Sequence, residues 1–144
     1  MNRIKITLPD YFGFSTLIPI RITDLNYGGH VGNDSFLSLI HEARQQFLLS
    51  HGYKELAIAG TGLIMADVAI EYKRELNHGD QVKISVAAGD FDKLGFDLFY
   101  KIEVLRSEET LLAGKAKTGM MCYDYNAKKK TPVPEEVIQK LSAG

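Results

Sequence analysis

The chain has 144 residues, a formal net charge of −1, and 45% hydrophobic against 24% charged residues. These values describe an ordinary globular chain, one domain over residues 1–144, with no basic field to hold nucleic acid. A single cysteine excludes an internal disulfide, and the start MNRIKITLPDYF lacks an apolar core of signal-peptide length, so a soluble cytoplasmic protein is expected.

Residues 14–24 read as the first strand, with Ile18, Ile20 and Ile22 alternating with Pro19, Arg21 and Thr23. Pro19 has no N–H to give a ladder, which predicts an edge position. A polar turn follows, holding Asp24, Asn26 and His30 beside Gly28, Gly29 and Gly32. Glycines admit positive φ and let the backbone approach a ligand closely. From residue 33 to about 51 the spacing predicts a helix. Asn33, Asp34 and Ser35 are capping types, and Phe36, Leu39, Ile40, Ala43, Phe47 and Leu48 share one face. Gly52 suits the position just past its end. A helix that starts in this turn aims unpaired N–H groups and a positive dipole end into it. That geometry suits a carbonyl oxygen that becomes negative during a reaction.

The rest reads as strand: residues 62–76, 81–88, 95–105 and 110–125, with a turn at Asn77-His78-Gly79-Asp80 and a short helix over 134–141. The apolar run from Leu63 to Ile70 is broken by Asp67 and far too short to span a bilayer. Cys122 lies in an apolar run and reads as a buried, inert thiol. Lys128-Lys129-Lys130 reads as a solvated turn, or as a contact for a phosphate at a pocket mouth. The order of elements predicts an α+β fold in which a curved antiparallel sheet wraps one long helix. Such a sheet leaves a face or an edge open, so a homodimer or homotetramer is expected.

The stretch Asp24-Leu25-Asn26-Tyr27-Gly28-Gly29-His30-Val31-Gly32-Asn33 resembles the DxDxxGHVNNxxY signature of hot-dog-fold thioesterases, with Phe36 at the aromatic position. His41-Glu42-Ala43-Arg44 and Ile70-Glu71-Tyr72-Lys73-Arg74-Glu75 resemble the helix and strand motifs that follow in that family. The resemblance covers about residues 14–125. It implies hydrolysis of an acyl thioester of coenzyme A or of acyl carrier protein. Coenzyme A would be part of the substrate, and no separate cofactor or metal is expected. It also implies a site at a dimer interface. Hot-dog dehydratases and non-catalytic thioester-binding proteins are the rival readings within the same superfamily.

This chain departs from the signature at Asn26, where the family carries an acid, and at Gly32, where it carries Asn. An amide cannot act as a general base. Asn26 is therefore read as a group that orients water or substrate, or that satisfies turn backbone. His30 can bind the carbonyl or shuttle a proton. The base is sought at Glu75, by resemblance to plant-type acyl carrier protein thioesterases, or at Glu42 on the helix. Each of these two glutamates is equally readable as an exposed charge beside a basic neighbour. Asp24 either shares a strand face with Asn26 or accepts turn N–H groups. Val31, Gly32 and Asn33 are expected to offer backbone N–H groups to the substrate.

Overall fold

A computed structural model describes residues 2–142. Helix α1, Asn33–Ser50, carries Phe36, Leu39, Ile40, Ala43, Phe47 and Leu48 on its buried face, as the helical spacing requires. Gly52 follows with φ of +82°, and the Gly52 N–H closes the helix on the Leu49 carbonyl. The buried face lies on an antiparallel sheet of β1 (Phe14–Pro19), β2 (Gly62–Tyr72), β3 (Gln81–Gly89), β4 (Gly95–Arg106) and β5 (Glu109–Asp124), in the order β1-β3-β4-β5-β2. Alternate residues of the central strands, Val82, Ile84, Val86, Leu98, Tyr100 and Ile102, meet the helix in one core cluster. β1 is an edge strand, so Pro19 removes no ladder bond on its open side.

Three boundaries differ from the sequence expectation. The first strand stops at Pro19, because the chain turns through a short 3-10 segment at Ile22–Asp24. The Asp24 carboxylate accepts the Arg21 N–H at 2.8 Å and closes that turn locally. Asp24 and Asn26 therefore do not share a strand face. β2 stops at Tyr72, where the N–H groups of Lys73 and Arg74 both turn to the Ala113 carbonyl. The lysine run is not only a turn: Lys129–Lys130 form a short strand, β6, paired with Tyr123 and Asp124.

The terminal helix α2, Glu135–Ser142, buries Val137 and Leu141. At the other end, the segment before β1 reaches side chains of β2 and β5. The buried Ile6 donates its N–H to Glu71 at 3.0 Å, on the opposite side of the sheet from β1. Arg44 is the one long cationic side chain of α1 among its buried residues. It donates to Glu55 at 3.0 Å and to the Tyr100 hydroxyl at 3.3 Å, which fixes the segment after α1 against the sheet.

Candidate active site

The polar turn and the start of α1 open into a cleft of about 480 Å³ between them and the end of β2. Asn26, His30, Val31, Asn33 and Phe36 line one side, and Tyr72 to Leu76 line the other. Five of the sequence candidates thus line one cleft: Asn26, His30, Val31, Asn33 and Glu75. Phe36 and Tyr72 pack edge to face with ring centroids 5.0 Å apart, giving the cleft an aromatic side.

The turn is built by its own hydrogen bonds. The Asn26 N–H donates to the His30 carbonyl at 2.8 Å, and the Gly29 N–H donates to the Asn26 carbonyl at 3.1 Å. Gly29 has φ of +78°, where a glycine costs least. The Asn26 side-chain oxygen accepts the N–H groups of Gly28 at 2.9 Å and His30 at 3.4 Å. With its oxygen so engaged, Asn26 keeps its NH₂ as the free end, and that group is a donor only. The NH₂ stands 3.9 Å from the place a Cβ would take on Gly32. A Cβ there would also lie 2.9 Å from the Asp34 carboxylate, so glycine keeps this corner open.

The N–H groups expected to face substrate are shifted along the chain. Val31 donates to the Leu76 carbonyl at 3.0 Å and Gly32 donates to the Asp24 carbonyl at 3.3 Å, so both are occupied. The first helical bond runs from the Phe36 N–H to the Gly32 carbonyl at 2.9 Å. The N–H groups of Asn33, Asp34 and Ser35 come before it and have no backbone acceptor among the described residues. Gly32 is the N-cap and, having no side chain, caps none of them. The open donors of the site are therefore those of the first turn of α1.

His30 stands between two oxygen atoms. Its Nδ1 is 3.1 Å from the Asn77 side-chain oxygen and its Nε2 is 3.4 Å from a Glu75 carboxylate oxygen. In its charged form the ring can donate to both. The Glu75 carboxylate is 73% exposed, within reach of water at the cleft mouth.

Asp24 and Glu42 lie elsewhere. Asp24 is buried and paired with Arg21. Burial pulls its carboxyl up, but hydrogen bonds and charge from Arg21 outweigh this and hold it below the usual carboxylate value. Glu42 lines a separate cleft between β1 and α1, with Arg21 and Gln46. There it accepts a hydrogen bond from Gln46 at 2.6 Å. Asn77 was not among the sequence candidates; a lone Asn in a turn signal gives no sign of a contact 47 residues away.

A long helix held in a curved antiparallel sheet, with its open N-terminus at a polar turn, defines the hot-dog architecture of thioester hydrolases. The model of the thioesterase-like superfamily matches residues 20–141, and the chain belongs to that family. Among curated relatives, the 1,4-dihydroxy-2-naphthoyl-CoA hydrolase of Rippkaea orientalis is 25% identical over 127 residues, 86% of this chain and 91% of that protein. The enzyme of the same name from Microcystis aeruginosa is 28% identical over 124 residues, 82% of this chain and 85% of that protein. A crystal structure of a 4-hydroxybenzoyl CoA thioesterase mutant complexed with 4-hydroxybenzoyl CoA shares the fold, with a TM-score of 0.81 at 14% identity, covering 90% of this chain and 98% of that one.

Proposed function

We propose that this protein hydrolyses an acyl thioester of coenzyme A, with an aromatic acyl group the preferred one. The observation that carries the reading is that Asn33, whose backbone N–H is open at the start of α1, lines the same cleft as Asn26, His30 and Glu75. The thioester carbonyl oxygen accepts from the first turn of α1 and from the Asn26 NH₂. Water held by Glu75 adds to the carbonyl carbon, and its proton passes to the Glu75 carboxylate. The oxyanion that forms is stabilised by the same donors, which face it before it forms. As the C–S bond breaks, the sulfur leaves with the proton held by Glu75, and the free acid remains. His30 orients the Glu75 carboxylate through Nε2. Asn26 supplies neither base nor nucleophile, because an amide has no proton-accepting chemistry near neutral pH.

The aromatic preference rests on the Phe36 and Tyr72 wall, and on relatives whose names specify a dihydroxynaphthoyl group. A second copy of the chain completes the cleft from the open side of β2. That strand is paired on one side only, and it exposes Met65 at 47%, Val68 at 39% and Tyr72 at 51%. The assembly is a homodimer or homotetramer, which sedimentation of the purified protein measures directly.

The test is thiol release, read with a disulfide dye, over short, long, branched and aromatic acyl-CoAs. Fastest release from an aromatic thioester supports the reading. Release only from acyl carrier protein thioesters moves the substrate to that carrier. Saturable acyl-CoA binding with no thiol released makes the protein a binding module instead.

A further inference from the structure

Glu75 and Asn77 both touch His30, yet neither belongs to a strand, since β2 ends at Tyr72 and β3 begins at Gln81. The segment that carries them is held from outside the cleft by Arg106, the last residue of β4. Its Nη2 donates to the Glu75 carbonyl at 2.9 Å and to Asp80 Oδ2 at 2.6 Å. Its Nε donates to Asp80 Oδ1 at 3.1 Å. Asp80 Oδ2 in turn accepts the Asn77 N–H at 2.7 Å. One planar guanidinium therefore reaches the backbone of Glu75 directly and that of Asn77 through a single carboxylate. Other bonds fix Leu76 to Val31 and the pair Gly79 and Asp80 to Ile20, but none of them holds the Glu75 carbonyl or the Asn77 N–H.

Arg106 is itself set by a strained connection. It pairs with Glu109 across a two-residue hairpin, Ser107 and Glu108, whose φ values are +48° and +67°. Both residues carry side chains in a turn that glycine and asparagine prefer. The tight turn ends β4 at the place from which Arg106 spans both acceptors.

We propose that Arg106 is a positioning residue of the site: by clamping Glu75 and Asp80 together it aims the Glu75 carboxylate and the Asn77 amide at the two ring nitrogens of His30. The proposal rests on the reading of His30 and Glu75 given above. A lysine at this position keeps the charge but, as a single point donor group, cannot reproduce the flat fork that reaches two acceptors.

The experiment compares wild type, Arg106→Lys, His30→Ala and the double variant, each by thiol release from the best acyl-CoA of the panel. Small misplacements of reacting groups are costly, so Arg106→Lys is expected to lower kcat about 10- to 100-fold. KM is expected to stay within about twofold, because the acyl and carrier contacts are untouched. In the His30→Ala background the same change is expected to add nothing, since the groups act as one unit. The ring signals of His30 in the NMR spectrum, identified by their loss in His30→Ala, are expected to shift in Arg106→Lys. Wild-type kcat in Arg106→Lys together with an impaired His30→Ala overturns the proposal and leaves the reading of the site intact. Losses that multiply in the double variant overturn it as well, since Arg106 then acts independently of His30. Wild-type rates in His30→Ala remove the histidine from the mechanism and the proposal with it.

Discussion

Asn26 has two separable jobs, and two substitutions take them apart. Its oxygen holds the turn through the N–H groups of Gly28 and His30, while its NH₂ faces the open end of α1. Asn26→Ala removes both. The turn is exposed and water replaces the lost acceptor, so the cost in stability is about 1 kcal/mol, within the usual net worth of such bonds. For a domain of this size that lowers Tm by about 3 °C. The loss in rate is larger: removing one donor to the developing oxyanion costs about 10²–10³ in kcat. Asn26→Asp keeps the turn bonds, because one carboxylate oxygen takes the place of the amide oxygen. It turns the free end from a donor into a negative acceptor beside the thioester oxygen. Its Tm is expected to match the wild type, while its kcat falls as far as that of Asn26→Ala. Thermal scans and thiol-release kinetics on the two variants measure this. A rise in kcat in Asn26→Asp would refute the donor role, and would mean that the position works best with the acid its family carries there.

Other expectations concern stability. Arg44 is 6% exposed and donates to Glu55 and Tyr100, so Arg44→Ala removes a charged donor from each, leaving Thr118 to the buried hydroxyl and His41 to the half-buried carboxylate. A loss of about 1–3 kcal/mol is expected in chemical denaturation, the usual cost of losing hydrogen bonds to a charged group when other partners stay in place. His51 packs edge to face on Phe47, and its Nε2 is buried with no hydrogen-bond partner among the described residues. Burial, and then the charge of Lys140, lower its pKa from the ordinary 6.5. The folded state thus binds the proton more weakly than the unfolded chain. Its contribution is complete above the unfolded value of 6.5 and is lost progressively as pH falls from there through the lowered folded value. Denaturation midpoints between neutral pH and mildly acid pH are expected to fall less in His51→Phe than in the wild type. An equal fall in both would assign the acid sensitivity to other groups.

Much of the fold was legible because its signals are local. The helical face from Phe36 to Leu48, the stop at Gly52 and the edge position of Pro19 follow from spacing and single-residue chemistry. The same holds for Asn26, His30 and Asn33, which lie within eight residues of one another in a turn and a helix start. Tertiary pairing hid the rest. Nothing in the sequence says that the N–H groups of Val31 and Gly32 are taken by Leu76 and Asp24, which moves the open donors to Asn33 and beyond. The end of β1 depends on a carboxylate three residues away folding back on Arg21, and this beats the β pattern of Ile18, Ile20 and Ile22. Glu42 and Glu75 looked alike as acids beside basic residues. The faces they occupy separate them, since one points between β1 and α1 and the other stands at the mouth opposite His30. Asn77 and Arg106 carry no motif, and their roles exist only through contacts with distant residues.

The most direct measurement is the rate of thiol release from an aromatic acyl-CoA by the wild type beside Glu75→Gln, at equal enzyme concentration. Gln keeps the shape and the reach to His30 but cannot take a proton from water. The expected result is steady release by the wild type and a drop of about 10²–10⁴ in kcat for Glu75→Gln, the range for losing a positioned base. Equal rates in the two proteins would contradict water activation by Glu75.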